Sequence, residues 1–295
     1  MRSTKRHEQS VTGTREVVQL VRGQATSDGD GVRLTRVIGG RALGELDPFL
    51  LLDEFGSDSA ADYIGGFPSH PHRGFETVTY MLEGRMRHRD NQGNEGLLVA
   101  GSVQWMTAGR GIIHSEMPEQ EAGRMRGFQL WVNLPAKDKM TAPRYQDIAP
   151  ERIPLARTTG GAEVRVIAGE HIDADGTATR GPVSGIAIDP LYFDVSLSKG
   201  ARFEHALAAD HNAFLYVFEG QAQVGDRATA VVRGDLAVLA PGDRVRVTAP
   251  AAAARFILVA GAPLGEPVVK YGPFVMNTRA QIVQAVDDYS SGRFT

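Results

Sequence analysis

The chain has 295 residues, 42% of them hydrophobic, which suits one or two domains that each bury a core. Its formal net charge is -3 and no broad basic segment stands out, so we predict no nucleic-acid partner. There is no cysteine, which excludes disulfides, thiolate catalysis, zinc fingers and iron–sulfur clusters. Any redox chemistry must therefore come from a bound metal.

The chain ends and the apolar segments bear on location. Residues 1–14 are polar and predict a flexible tail, and no apolar stretch follows them as in a signal peptide. The most apolar late segment, residues 249–263, is interrupted by Pro250, Arg255 and Gly261 and is too short to span a bilayer. We therefore predict a soluble cytoplasmic protein that makes no membrane contact.

Short runs rich in Val, Ile, Phe, Tyr and Thr alternate with turns, because the chain carries 34 glycines and 15 prolines. This pattern predicts an all-β sandwich or barrel. Near the end, Asn277 and Thr278 predict the start of a helix that runs to about Tyr289, with Ile282, Val283 and Val286 on one face. The clearest predicted strands are 32–38, 76–82, 128–132, 191–197, 214–218 and 255–260.

An internal repeat indicates two copies of one β-barrel unit. Residues 80–84 (Tyr-Met-Leu-Glu-Gly) match residues 216–220 (Tyr-Val-Phe-Glu-Gly), and residues 101–109 match 234–242 with glycine at both ends. The predicted organisation is a tail at 1–14, an N-terminal metal-binding barrel at 15–135, a linker at 136–150, a C-terminal barrel without metal ligands at 151–270, and a final segment with the helix at 271–295.

Two short segments carry the candidate chemistry. Side chains two apart on a strand point to the same side, so His70 and His72 can face one point from one strand, and His114 and Glu116 from another. Such a set of N and O ligands suits a divalent transition metal, with positions left for substrate or oxygen. Iron(II) is the first choice, with nickel, cobalt, manganese, copper or zinc as alternatives. Strand parity alone accepts Glu76 as well.

The repeat predicts that the metal belongs to the N-terminal barrel alone. In the second copy, aligned at the Tyr-x-x-Glu-Gly match, His205 and His211 fall one residue out of register and therefore on the opposite face. Those two residues and His171 are predicted to be surface or hydrogen-bonded histidines. No functional role is predicted for His7, in the tail, or for His88, since the arginines at 85, 87 and 89 share the opposite, solvated face of its strand. In that alignment His70 falls on Ala206, His72 on Ala208 and Glu76 on Asn212, and by the later glycine match His114 falls on Val247 and Glu116 on Ala249.

These motifs resemble the cupin superfamily and, more narrowly, the pirin family, over a match from about residue 15 to the C-terminus. The resemblance implies a bicupin with two jelly-roll-like barrels and one non-haem iron. It implies His70, His72, His114 and Glu116 as ligands; Glu76, often a ligand in other cupins, becomes a neighbour that can hydrogen-bond a ligating imidazole. The segments that carry it are 46–55, 67–80, 104–118, 129–134 and 272–277.

The resemblance also implies quercetin 2,3-dioxygenase activity, as in several pirins, with a flavonol and oxygen as substrates. Glu116 is then the first candidate to accept the flavonol proton, and Glu76 the second. The alternative is a non-enzymatic module that senses metal or redox state and binds an unidentified protein partner, and a cupin isomerase or ligand sensor is a third possibility. The candidate pocket walls are Phe55, Phe67, Trp105 and Met106, for which a place in the barrel core is the alternative, and one of Gln129 and Trp131, which share a strand face.

Overall fold

The computed structural model describes residues 12–295, which form β-strands almost throughout. It confirms the predicted all-β architecture with one C-terminal helix, α1 (Arg279–Ser290). The strands of the first half are β1 (Val17–Arg22), β2 (Gln24–Asp28), β3 (Val32–Ile38), β4 (Phe49–Ser57), β5 (Phe67–His72), β6 (Phe75–Glu83), β7 (Arg85–Asp90), β8 (Glu95–Val99), β9 (Val103–Thr107), β10 (Ile112–Pro118), β11 (Met125–Asn133) and β12 (Arg144–Ile148). Those of the second half are β13 (Leu155–Arg157), β14 (Ala162–Ala168), β15 (Glu170–Ile172), β16 (Ala178–Arg180), β17 (Leu191–Leu197), β18 (Arg202–Ala206), β19 (Asn212–Val224), β20 (Thr229–Val232), β21 (Asp235–Leu239), β22 (Arg244–Thr248), β23 (Ala254–Gly261), β24 (Val269–Tyr271) and β25 (Phe274–Met276).

The first barrel consists of two facing sheets. A seven-stranded sheet has the order β12-β9-β6-β11-β4-β3-β2, and a four-stranded sheet has the order β5-β10-β7-β8. Phe55 and Met81 of the larger sheet pack with Met86 and Leu98 of the smaller one in a common apolar cluster. The lumen between the sheets is therefore partly filled by side chains, as in other small barrels.

The second barrel is built on one ten-stranded sheet. Its main path is β1-β21-β19-β23-β17-β14-β13, and β18, β20 and β22 join it through the long strand β19. Inward-facing side chains such as Phe203, Leu215, Val247 and Phe256 fill its interior and are fully buried. The interior of the second barrel is therefore a packed apolar core rather than an open cavity.

Two strands pair across the predicted domain limits. β1, predicted within the N-terminal barrel, pairs with β21 of the second barrel, so the start of the chain belongs to the second sheet. β12, predicted within the linker, pairs with β9 at the edge of the first barrel. Most of the predicted tail lies outside the described residues, but Thr14 already bridges to Arg244.

The two barrels share an apolar interface because the central strands of the larger sheet of the first barrel, β6, β9 and β11, are buried on both faces. Tyr80, Trp105 and Phe128 point away from the lumen and pack in one cluster with Tyr216 and Phe218 of the second barrel. The polar group of Tyr80 is satisfied there, since its hydroxyl donates to Asp194 at 2.6 Å. Each polar residue on this sheet must therefore find a partner in one of two separate interiors.

The C-terminal segment closes over the first barrel. Helix α1 begins with a capping box formed by Thr278 and Gln281, as the sequence predicts. Ahead of it, the carbonyl of Val275 accepts a hydrogen bond from Lys139, whose ammonium also bonds to Asn133 and to the carbonyl of Gly74. In the part of the chain that the structure describes, no helix is both long and apolar enough to cross a membrane.

Lys139 therefore fastens the C-terminal segment to the turn that follows β5. We predict that Lys139→Met lowers the free energy of unfolding by about 3 kcal/mol, because three buried oxygens lose their common donor. Denaturant unfolding measures the change. Lys137→Met, at an exposed position two residues earlier, is the matched control and should change it by less than about 0.5 kcal/mol. Equal effects of the two variants would contradict the prediction.

Candidate metal centre

Three histidines meet in the lumen of the first barrel because β5 pairs antiparallel with β10. In that register His70 lies opposite His114, and His72 lies opposite Ile112. The ring centroid of His114 is 4.4 Å from that of His70 and 5.0 Å from that of His72. The turn after His72 needs Gly74, which has a φ of +88° and where a Cβ would collide with the carbonyl of Val275.

The inner nitrogens of these rings fit a metal ion. His70 Nε2 and His72 Nε2 are 2.9 Å apart. Two nitrogens at right angles around one ion, each about 2.1 Å from it, stand about 3.0 Å apart. Within residues 12–295, His114 Nε2 is buried without a hydrogen-bond partner, and one ligand atom from each ring lies within 4.8 Å of the others. A cation would satisfy all three nitrogens at once.

The protonation of the rings also favours a metal. Burial, followed by the nearby ring of His70, lowers the pKa of His72 well below its usual value. The pKa of His114 is lowered in the same way, first by burial and then by His72, His70 and His88. Because a histidine must be neutral to ligate, these two rings keep their lone pairs free for an ion.

The outer nitrogens of two of the rings are held by neighbours. His70 Nδ1 is 2.8 Å from the carbonyl oxygen of Pro68, and His114 Nδ1 is 3.3 Å from Nδ1 of His88. His88, for which the sequence predicts no functional role, is buried at 1% exposure. Its position on β7 opposite Glu116 explains this, because β7 pairs with β10 on the side away from β5. Alternation on β7 was the available signal: arginines at 85, 87 and 89 face out, so His88 faces in.

Glu116 lies beside this group and is held by Thr79. The Thr79 hydroxyl is 2.9 Å from Glu116 Oε1 and 2.7 Å from the side-chain amide of Gln129. A hydroxyl has one proton, so all three groups are satisfied when the Gln129 amide nitrogen donates to Thr79 and Thr79 donates to the carboxylate. The carboxylate lines the same cavity as His70 and His72 but is not within the 4.8 Å group of the three imidazoles.

The side chain of Glu76 is on the face of β6 that points away from the lumen of the first barrel. Its Oε2 accepts from Trp105 Nε1 at 3.0 Å, and its Oε1 accepts from the Thr107 hydroxyl at 2.6 Å. Trp105 belongs to the core between the barrels, whereas Thr79, three residues after Glu76 on β6, faces the lumen. Burial raises the pKa of the Glu76 carboxyl. The structure therefore does not bring Glu76 together with the three histidines.

A cavity of about 500 Å³ opens onto the histidines. Its walls include Phe55, Phe67, Gln129 and Trp131, four of the six predicted wall residues. The other two are elsewhere, since Trp105 packs between the barrels and Met106 packs with Ala108 and Ile112. A polar end is formed by Arg36, which makes a two-point ion pair with Asp53. The size and mixed lining are typical of a small-molecule pocket.

The second barrel offers counterparts that differ from those predicted. β18 pairs with β22 so that Phe203 lies opposite Val247 and His205 lies opposite Val245. We compared this register with that of β5 and β10. Phe203 then corresponds to His70, His205 to His72 and Val247 to His114.

The predicted alignment of His70 and His72 with Ala206 and Ala208 is therefore wrong by three residues. The loop after β5 spans residues 73–74, whereas the loop after β18 spans 207–211, so the register changes between these strands and the Tyr-x-x-Glu-Gly match that follows them. His205 is buried, and its Nδ1 is 3.3 Å from Nδ1 of the buried His171. Within residues 12–295, the one cluster of at least three His, Asp or Glu side chains able to hold an ion is still that of the first barrel.

Comparisons with known proteins agree with this architecture. The Pirin family model matches residues 31–132, and the model of the pirin C-terminal cupin domain matches residues 192–295. A pirin-like protein of Caulobacter vibrioides is 55% identical over 280 residues, covering 95% of this chain and 99% of that protein. The chain belongs to the pirin family. Its two barrels are accordingly cupin barrels.

Two further pirin relatives carry names that concern activity. A Pseudomonas aeruginosa protein, provisionally named a quercetin 2,3-dioxygenase, is 52% identical, covering 96% of this chain and 99% of that protein. A crystal structure described as quercetin 2,3-dioxygenase from Acinetobacter baumannii is 34% identical with a TM-score of 0.86. That match covers 95% of this chain and 98% of the other. The two-barrel arrangement is thus shared along nearly the whole length.

The equivalence of His72 and His205 supplies a matched test of the metal centre. We predict that the metal-free chain binds about one divalent ion, and that His72→Ala lowers the affinity by about 100-fold or more because one inner nitrogen is lost. His205→Ala makes the same change at the corresponding position of the second barrel and should leave affinity and stoichiometry unchanged. Competition with a chelating indicator measures both. Unchanged binding in His72→Ala would contradict the prediction.

Proposed function

We propose that this pirin is an iron(II)-dependent dioxygenase that cleaves flavonols with oxygen, a quercetin 2,3-dioxygenase. The observation that carries the proposal is the convergence of three imidazoles at one wall of a largely apolar cavity, with the carboxylate of Glu116 in the same wall. The names of the Pseudomonas aeruginosa relative and of the Acinetobacter baumannii structure support the substrate class. Other divalent metals remain alternatives to iron in the same ligand set.

In this proposal His70, His72 and His114 would hold the ion through Nε2, and Glu116 would be the fourth ligand or the group beside it. The bound iron would lower the pKa of the flavonol hydroxyl and make its reaction with oxygen accessible. Glu116 accepts the hydroxyl proton, because its carboxylate lines the cavity and Thr79 occupies only one of its oxygens. Glu76 is the weaker candidate, since both of its oxygens accept hydrogen bonds on the other sheet face.

The cavity walls orient a flat substrate. Phe55, Phe67 and Trp131 offer aromatic and apolar surface, which suits a fused phenolic ring and keeps water from the reacting atoms. The Trp131 ring centroid is 5.3 Å from that of His72, so this wall continues directly from the ligands. In the same cavity wall, the carboxylate of Asp53 and the guanidinium of Arg36 can bond to ring hydroxyls.

The experiment that tests the function is an aerobic assay of the chain reconstituted with each metal in turn. Loss of the quercetin absorbance together with release of carbon monoxide is the expected result, highest with iron(II). A chain that binds one ion tightly and never consumes quercetin would overturn the dioxygenase proposal. The protein-interaction alternative would then be tested by a pull-down that compares the oxidised and reduced metal.

The role of Glu116 as base yields a prediction for Glu116→Gln. We expect turnover to fall by about 100-fold or more, because the amide cannot accept the substrate proton, while the metal content stays within about twofold. Steady-state kinetics and metal analysis on the same sample measure the two effects. Glu121→Gln, an exchange at an exposed position, is the control. Full turnover of Glu116→Gln at every pH would remove Glu116 from the mechanism.

Thr79 is expected to position Glu116, so its hydroxyl should matter for rate rather than for binding. We predict that Thr79→Val lowers kcat about 10-fold with little change in KM or metal affinity, and that Thr79→Ser restores kcat. Thr77→Val is the matched control, because Thr77 is a buried neighbour on the same face of β6. A loss in Thr77→Val as large as that in Thr79→Val would mean that packing, not the hydrogen bond, is responsible.

A further inference from the structure

His88 is the side chain behind the metal centre that the proposed mechanism leaves unused. It lies on β7, and β10 runs between β7 and β5, so His114 has His70 on one side and His88 on the other. The ring of His88 is buried, with its centroid 5.1 Å from that of His114 and 4.9 Å from that of Tyr145. It lies outside the group of three imidazoles and does not line the cavity.

The contact between the two rings restricts where their protons can be. A neutral imidazole has one N–H and one lone pair, so a hydrogen bond between two Nδ1 atoms needs one ring to donate and the other to accept. A histidine that ligates through Nε2 carries its proton on Nδ1. With an ion at the centre, His114 must therefore be the donor and His88 the acceptor.

We infer that His88 is a positioning residue for the metal centre: its Nδ1 accepts the Nδ1 proton of His114 and so aims the Nε2 lone pair of His114 at the ion. The inference rests on the proposed metal site. Metal-ligating histidines commonly donate their second N–H to a carboxylate or carbonyl oxygen, and here a second imidazole takes that place. His70 is oriented in the usual way by the carbonyl of Pro68.

The same reasoning fixes the tautomer of His88. When its Nδ1 accepts, its own proton is on Nε2, an atom that is buried and has no hydrogen-bond partner in residues 12–295. A doubly protonated His88 would instead present a donor to the donor of His114 and repel it. A neutral acceptor at position 88 is thus the arrangement compatible with an ion on His114.

The second barrel contains a chemically similar pair that serves as an internal control. His171 and His205 are buried, and their Nδ1 atoms are also 3.3 Å apart. Val247 occupies the position in the second barrel that His114 occupies in the first. The pair of His171 and His205 therefore has no metal-ligating residue to orient. His171→Phe therefore reproduces the exchange His88→Phe, including the loss of an Nδ1 contact, away from the centre.

The first experiment uses the unmodified chain loaded with zinc(II), which is diamagnetic. Long-range proton–nitrogen NMR correlations distinguish the two neutral tautomers of each histidine. The expected result is a proton on Nδ1 of His114 and on Nε2 of His88. A His114 that ligates without a proton on Nδ1, or a His88 protonated on Nδ1, would overturn the inference. Because no residue is replaced, this test does not depend on the folding of a variant.

The second experiment measures zinc affinity of three variants by competition with a chelating indicator. His88→Phe keeps an aromatic ring without an acceptor and should lower the affinity 10- to 100-fold. His88→Gln, whose amide oxygen can accept from His114 Nδ1, should stay within about fivefold of the unmodified chain. His171→Phe should bind as the unmodified chain does.

The outcomes separate this inference from the proposed function. If the unmodified chain binds no ion, the metal site itself fails. If it binds an ion and His88→Phe binds equally well, only the role of His88 fails. Equal losses in His88→Phe and His88→Gln, or in His88→Phe and His171→Phe, would assign the effect to packing and also overturn the inference.

Discussion

The pairing of β5 with β10 is the contact on which the centre depends. It sets His70 opposite His114 and leaves His72 one pleat further along the same face. A slip of one residue would turn His114 out of the lumen, because side chains alternate along a strand. A residue distant in sequence, Lys139, supports this pairing where β5 ends. It holds the turn after β5 against the C-terminal segment.

A second constraint comes from the sheet that the two barrels share as a boundary. β6 is buried on both faces, so a polar side chain on it has a partner either in the lumen or in the core between the barrels. Thr79 finds Glu116 in the lumen, and Glu76 finds Trp105 on the other side. Residues three apart on one strand thus serve a chemical site and a structural interface.

The sequence predicts the all-β fold, the repeat and the three histidines well, because alternation along strands and glycine turns are local signals. It cannot assign Glu76 to a face, since β6 has no solvent side to set the parity. The alignment of the second barrel fails for another reason: a longer loop at 207–211 separates His205 from the Tyr-x-x-Glu-Gly match on which the alignment is based. The role of His88 depends on its contact with His114 on the neighbouring strand. The sequence does not reveal this contact, because no local pattern specifies which strands pair.

The difference between the barrels follows from what fills equivalent positions. Where the first barrel has His70 and His114, the second has Phe203 and Val247, which are fully buried and each contribute about 1.5–3 kcal/mol of apolar burial. The first barrel instead has imidazoles there, and His114 Nε2 is buried with no hydrogen-bond partner in residues 12–295, an arrangement that costs stability unless an ion completes it. The apolar burial in the second barrel and in the core shared by the two barrels can offset that loss of stability. The first barrel of a bicupin chain can therefore carry polar, metal-binding side chains in its lumen because the lumen of the second barrel is filled by apolar ones.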